Sequence, residues 1–336
     1  MATPLALVAM PKLTISSQSF PIAGTFTISR GSKTSADVVV VELQADGHRG
    51  WGEAVPYARY RETVPQCLAA LEAARPAIEN NLGNGDDITA LGLPKAAQNA
   101  LDCALWDLEA KRTATTVWKL ARLAEPQPKV TAYTLSLDTP SAMAEQARKS
   151  AHMPLLKLKL GREGDEERLS TIRAAVPNAR LIVDANEGWN ENNIEAMLAC
   201  CARHGVELVE QPLPQNQDDA LRGIKCDVLI CADESAHDMA SLPALKDKYD
   251  AVNIKLDKTG GLTEALRMAD AAKKQDFKIM VGCMLATSLA MAPAFLVAQM
   301  ADYVDLDGPL LLAKDRTPAI RYERGLMFPP PAALWG

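Results

Sequence analysis

Histidine is scarce. The four residues His48, His152, His204 and His237 never fall in an H-E-x-x-H spacing, which argues against a histidine-based metal site. Cysteine offers no framework either. The seven cysteines are odd in number, contain no C-x-x-C, and place Cys200 beside Cys201 in a helical pattern, so a zinc ribbon or thioredoxin-type site is disfavoured. A reduced, cytoplasmic protein is expected. No stretch reaches the roughly 18 apolar residues of a membrane helix. The apolar residues 1–10 carry Pro4 and no basic segment, which makes a poor signal peptide. A basic excess is missing too: Lys+Arg is 36 against Asp+Glu 42, and the net charge of -6 argues against nucleic acid. Neither G-x-G-x-x-G nor G-x-x-x-x-G-K-[ST] occurs, which disfavours an open nucleotide-binding sheet.

What is present suffices for a large core. Hydrophobic residues make up 48% and charged residues 23%, which excludes global disorder. The 336 residues allow two or three domains, or one barrel with a companion. Strand patterns fall at 13–19, 25–28 and 36–44, the last holding the run Val38-Val39-Val40-Val41. Asp46-Gly47 then signals a hairpin into 49–54. Helical patterns follow at 63–80 and 94–113, and a proline-bearing linker at 120–129. Strands followed by helices predict an α+β domain over residues 1–125. From there the texture alternates. Apolar strands at 130–136, 155–160, 180–184, 206–210, 228–232, 251–256, 278–282 and 303–306 are mostly separated by helices. Eight βα units predict an α/β barrel of the (β/α)8, or TIM, type over 126–314.

Active sites of such barrels lie at the C-terminal strand ends. The second strand carries Lys157 and Lys159. The third, fourth and fifth end in Asp184, Glu210 and Asp233, the sixth in Lys255, and the eighth near Asp305 and Asp307. Taken singly, a carboxylate after an apolar strand is an ordinary helix N-cap. Three consecutive carboxylate-ended strands flanked by lysine-ended ones need a common reason. Hard oxygen ligands without His or Cys select Mg²⁺ or Mn²⁺ over Zn²⁺. A lysine beside a divalent cation and a second lysine is expected to have a lowered pKa and to act as a base. Two such bases on opposite sides of one carbon describe removal and return of a proton α to a carboxylate.

The segments Lys157-Leu158-Lys159, Val183-Asp184-Ala185-Asn186, Val209-Glu210-Gln211-Pro212, Ala232-Asp233-Glu234-Ser235 and the run from Asn253 to Gly261 together resemble the enolase superfamily, in its muconate-lactonising-type branch. The resemblance implies a modified barrel, (β/α)7β-like, with an N-terminal capping domain completed by residues 315–336. Asp305-Leu306-Asp307 resembles the dipeptide epimerases, as do Thr134 with its neighbours and Val281-Gly282-Cys283-Met284. Among these, L-Ala-D/L-Glu epimerases invert the C-terminal residue of a muropeptide-derived dipeptide.

By that likeness Asp184, Glu210 and Asp233 bind the metal. Lys159 and Lys255 are the acid/base pair, serving the S- and R-configured carbon respectively. Lys157 steadies the substrate carboxylate or enolate oxygen. Asp305 and Asp307 take the α-ammonium, with Thr134, Cys283 and Met284 beside the substrate. Arg30 would pair with a γ-carboxylate, although Ser29-Arg30-Gly31-Ser32 also reads as a solvated hairpin tip. Residues 56–62 resemble a family lid, with Arg61 where the family carries Gly. Epimerases of other dipeptides share every one of these features except the loops. A cycloisomerase or o-succinylbenzoate synthase of the branch has no ammonium to meet a D-x-D. A non-catalytic dipeptide-binding protein is disfavoured by the intact charged positions. A homo-oligomer stays open, since no apolar face for it can be picked out.

Overall fold

The computed structural model describes residues 10–81 and 85–336, so the stretch weighed as a leader lies outside it, Met10 excepted. An antiparallel sheet of β1 (Lys12–Ile28), β2 (Gly31–Ala45) and β3 (His48–Ala54) comes first, in that order. The valine run makes this sheet buried on both sides, because successive side chains alternate faces. Val39, Val41 and Leu43 pack with Leu71, Ile78 and Leu101 from the helices Val64–Asn81 and Lys95–Arg112. Val38 and Val40 join the larger core, which includes Trp106 and Trp335. Each fully buried valine contributes roughly 1.5–3 kcal/mol.

The two early strands expected at 13–19 and 25–28 are one strand. Pairing with β2 slips between Pro21 and Phe26, where Ile22 instead bridges to Leu312 of the barrel's last loop. A bulge suits a proline that cannot donate to the ladder.

Gly50 and Gly52 of β3 let the helix Lys95–Arg112 lie directly on the sheet. A Cβ on Gly52 would sit 2.2 Å from the Ala100 carbonyl oxygen and 2.9 Å from Ala104 N. Gly52→Ala is therefore expected to destabilise by about 3 kcal/mol, as overpacking against rigid backbone does. Urea unfolding measures this, and an unchanged midpoint contradicts it.

The strand expected at 130–136 is two. β4 (Lys129–Val130) pairs with β14 (Leu326–Met327), itself paired with β13 (Tyr322–Glu323). Thr131 N then donates to the Gly325 carbonyl, so the C-terminal return captures the start of the segment. Only β5 (Tyr133–Leu135) enters the barrel. It is followed by β6 (Leu155–Lys159), β7 (Arg180–Asp184), β8 (Val206–Glu210), β9 (Leu229–Ala232), β10 (Ala251–Ile254), β11 (Lys278–Gly282) and β12 (Tyr303–Asp305), parallel and in sequential order. A backbone bond from Ala132 N to the Val304 carbonyl, 2.8 Å, joins the two outer strands. Helices follow most strands, but β12 is followed only by a 3-10 turn, Gly308–Leu311. The architecture is the modified barrel with an N-terminal α+β unit that the sequence motifs imply.

Inside the barrel, Ala132, Leu155, Ile182, Leu208, Cys231, Ala251 and Met280 form an apolar floor. Two residues further along each strand, the same face carries Lys157, Asp184, Glu210, Asp233, Asn253 and Gly282. The switch from apolar to charged within one pleat sets the site on a packed base. At the C-terminus, Trp335 Nε1 donates to the Cys103 carbonyl and Gly336 N to Asp107, which ties the chain end to the helix Lys95–Arg112. Among the described residues all seven cysteines are free, and no helix is long and apolar enough to cross a membrane.

Candidate active site

A cavity of about 800 Å³ opens at the C-terminal strand ends, beneath the β1–β2 turn and residues 55–60. Every sequence-predicted site residue lines it except Lys157, Asp184 and Glu210, which lie just below. Strand order explains how they are shared out. β6 and β10 have three strands between them by either route around the barrel, so Lys159 and Lys255 come from opposite walls. Asp184, Glu210 and Asp233 follow on the arc of β7, β8 and β9. Thr134, Cys283, Met284, Asp305 and Asp307 occupy the other arc, on β5, β11 and β12 or just beyond them.

The charges are buried and paired. Lys159 Nζ lies 2.6 Å from Asp184 Oδ2, and Lys255 Nζ lies 2.6 Å from Asp233 Oδ2. Lys157, 1% exposed, lies 2.6 Å from both Glu210 Oε2 and Asp305 Oδ2, and 3.4 Å from Asp184. Asp307 accepts from Thr134 N at 2.6 Å. Burial favours neutral Asp184 and Asp233, but Lys159 and Lys157 on the first, and Lys255 and Lys258 on the second, hold both well below the usual carboxylate range. Burial raises Glu210, helped by Asp184. Burial, with Asp305 beside it, pushes Asp307 up to about 7.

The lysines run against expectation. Burial alone would lower Lys255, but Asp233 and Glu210 outweigh it and hold it well above the ordinary lysine value. Lys157 is raised in the same way by Asp305 and Glu210. The expected lowering needs a cation to compete for those carboxylates.

The β1–β2 turn is not a solvated tip. Arg30 Nη1 donates to the Asn186 carbonyl at 2.8 Å and lies 3.1 Å from Glu187, while Nη2 lies 2.7 Å from Glu234 Oε1. Arg59 grips Glu187 with Nε and Nη2, both at 2.7 Å. Arg61 takes φ +61°, the left-handed conformation that Gly favours, and closes the turn Ala58–Tyr60. The lid turn thus forms without the glycine.

Sequence reasoning gave no functional role to Asn253, whose Nδ2 donates to Glu210 Oε1 at 2.7 Å, nor to Glu187 or Lys258. The inward period of β10, two residues before Lys255, could have found Asn253. Asp257 accepts from Val55 N at 3.0 Å and Asn99 Nδ2 at 2.9 Å, tying the lid root to the turn after Lys255. Burial pushes its carboxyl up to about 7. A folded-state pKa above the unfolded value contributes stability below about pH 4 that is lost as pH rises through 7. Asp257→Asn keeps an acceptor oxygen and removes the titration. Relative to the parent it is expected to gain on the order of 3 kcal/mol between pH 5 and pH 8. Urea unfolding at both values checks this, and a pH-independent difference contradicts it.

The donor set fits a hard cation: all oxygen, on three adjacent strands, with Asn186 Oδ1 and Glu234 Oε2 buried and lacking a hydrogen-bond donor. Among the described residues no three ligating side chains close on one point, because Asp184 and Asp233 are turned onto lysines. An ion held there would compete with Lys159 for Asp184 Oδ2 and with Lys255 for Asp233 Oδ2.

Known proteins share this arrangement of chain. The L-Ala-D/L-Glu epimerase of Escherichia coli K12 is 44% identical over 310 residues, spanning 92% of this chain and 96% of that protein. An N-acetyl-D-glutamate racemase of a Pseudoalteromonas species is 43% identical, spanning 89% and 95%. An enolase family member of Agrobacterium tumefaciens with homology to dipeptide epimerases, solved with sodium and L-Ala-L-Glu, superposes with a TM-score of 0.95 at 50% identity, covering 97% and 100%. A dipeptide epimerase of Enterococcus faecalis, solved with Mg and L-Leu-L-Tyr, superposes at 0.89 with 28% identity, covering 96% and 97%. Residues 10–121 match the mandelate racemase/muconate lactonizing enzyme N-terminal domain, and residues 142–333 the enolase C-terminal domain-like model. With both halves matched in order, the chain belongs to the mandelate racemase/muconate lactonizing enzyme family of the enolase superfamily.

Proposed function

We propose that this chain is a Mg²⁺-dependent dipeptide epimerase that inverts the glutamate residue of L-Ala-L-Glu by two-base 1,1-proton transfer. The observation that carries the reading is Lys159 and Lys255 entering one cavity from opposite walls, with carboxylates on one arc and Asp305 and Asp307 on the other. The likeness to epimerases and racemases that act on glutamate derivatives supports it. Asp184, Glu210 and Asp233 would hold Mg²⁺, with Mn²⁺ as its substitute. When bound, the ion supplies Lewis-acid stabilisation of negative charge on the substrate carboxylate.

The remaining steps belong to the chain's residues. Asp305 and Asp307 bind the α-ammonium. Thr134 orients both carboxylates, and Cys283 and Met284 wall the alanine end. Lys159, neutral, takes the α-proton of the S-configured carbon, leaving an enolate. Lys157 lies below the cavity and counters that charge from beneath. Lys255, as ammonium, returns a proton on the opposite face. Solvent exchange then resets the two lysines. Arg30 binds the γ-carboxylate, which takes the place of Glu187 or Glu234 on the guanidinium. We divide the chain accordingly: residues 1–125 with 315–336 supply the lid and Arg30, and residues 126–314 supply the chemistry.

A substrate panel tests the reading. L-Ala-L-Glu is expected to exceed L-Ala-L-Leu and N-acetyl-L-glutamate, and chelation of Mg²⁺ to abolish turnover. Arg30→Met is expected to cost L-Ala-L-Glu about 10–100-fold in kcat/KM, as loss of a charged hydrogen bond does, and to leave L-Ala-L-Leu little changed. Preference for N-acetyl-L-glutamate would remove the ammonium role of Asp305 and Asp307. Equal losses on both dipeptides would remove Arg30 from specificity.

A further inference from the structure

Lys258 lies one turn beyond Lys255 and is 2% exposed. Its ammonium has three donors, and each meets an oxygen. Nζ lies 2.6 Å from Asp233 Oδ1, 2.5 Å from the Asp233 carbonyl and 2.9 Å from the Asn253 carbonyl. Two of these acceptors belong to the residue that follows β9, and the third lies within β10. The other oxygen of the same carboxylate, Asp233 Oδ2, is the one that holds Lys255. Asn253, whose carbonyl Lys258 grips, directs its side chain onto Glu210. No contact links Lys258 to Lys159, which is anchored by Asp184 on the far side.

From this geometry we infer that Lys258 is a positioning residue for one half of the reaction: it fixes Asp233 and the β10 backbone so that Lys255, and the ion-binding edge of Asp233, stay in register. The inference rests on the epimerase reading above. By clamping Oδ1, Lys258 leaves Asp233 only Oδ2 to share between Lys255 and a cation. The two faces of the substrate therefore depend on it unequally. The Lys255 face is supported through Asp233 and Asn253. The Lys159 face has no such dependence.

The test uses the full chain with Lys258→Gln and Lys258→Met, compared with the parent. α-Proton exchange in D₂O is followed separately from L-Ala-L-Glu, which loads Lys159, and from L-Ala-D-Glu, which loads Lys255. MgCl₂ alone is titrated calorimetrically. The expected result is a drop of about 10–100-fold in exchange from L-Ala-D-Glu, a change within about 3-fold from L-Ala-L-Glu, and Mg²⁺ binding weakened about 10-fold, the range for residues that orient metal ligands. Equal losses from both diastereomers would overturn the inference, as would unchanged Mg²⁺ affinity. Failure of both variants to fold would assign Lys258 to stability and overturn it as well. If the parent exchanges neither dipeptide, the substrate reading fails, and the MgCl₂ titration alone decides for or against Lys258.

Discussion

Lys255→Ala is expected to leave L-Ala-L-Glu exchanging its α-proton with solvent while forming no L-Ala-D-Glu, and Lys159→Ala to do the reverse. The two lysines stand on opposite barrel walls, so on the proposed reading each reaches one face of the α-carbon. Interconversion of the diastereomers is expected to fall by about 10²–10⁴-fold in either variant, the usual contribution of a positioned general acid or base. The fold should survive both changes. Asp233 keeps Lys258 at 2.6 Å when Lys255 is lost, and Asp184 keeps Lys157 at 3.4 Å when Lys159 is lost. Proton NMR of each diastereomer in D₂O separates exchange from inversion. Loss of exchange from both diastereomers in both variants would contradict a two-base mechanism.

Lys157→Met is expected to cost about 3–5 kcal/mol of stability, the range for breaking a buried ion pair, and more of it without Mg²⁺ than with it. Around the barrel centre, the carboxylates of Asp184, Glu210, Asp233 and Asp305 face the ammonium groups of Lys157, Lys159, Lys255 and Lys258. Charge is balanced there without an ion. Removing Lys157 leaves Glu210, fully buried, and Asp305, at the cavity floor, without their 2.6 Å partner. A divalent ion on the same carboxylates restores the missing charge, and a ligand bound only by the folded state stabilises it by mass action. MgCl₂ should therefore raise the variant's unfolding midpoint more than the parent's. An equal rise in both would show that Lys157 and the ion do not share the carboxylates. On the proposed reading, a divalent ion would add positive charge beside these ammonium groups and would favour loss of a proton from a lysine.

The sequence shows the barrel clearly because its strands end in charge. Apolar residues that alternate into Asp184, Glu210, Asp233 and Lys255 mark at once the strand, its direction and the end that faces the cavity. The split of 130–136 was not visible, since what captures Lys129 and Val130 is a pair of strands almost 200 residues later. Nor was the bulge in β1, where Ile22 bridges to the distant Leu312. Chemistry carried by a single residue type at a strand end was legible. Chemistry carried by pairing between distant loops was not. The sequence could point to Arg30, but its contacts with Glu187 and Glu234, and the grip of Arg59 on Glu187, exist only once the turn folds over the barrel. Lys258 carried no functional signal in the sequence, and its grip on Asp233 and the Asn253 carbonyl exists only in the fold.

One experiment bears on all of this most directly: purified protein, L-Ala-L-Glu and MgCl₂ in D₂O, with the glutamate α-proton followed by NMR. Opposed lysines flanking an enolate predict loss of the α-proton signal, deuterium at that carbon, and growth of the L-Ala-D-Glu resonances toward equilibrium. An α-proton that persists unexchanged, in the presence of Mg²⁺ and bound dipeptide, would contradict proton transfer at that carbon and with it the proposed function.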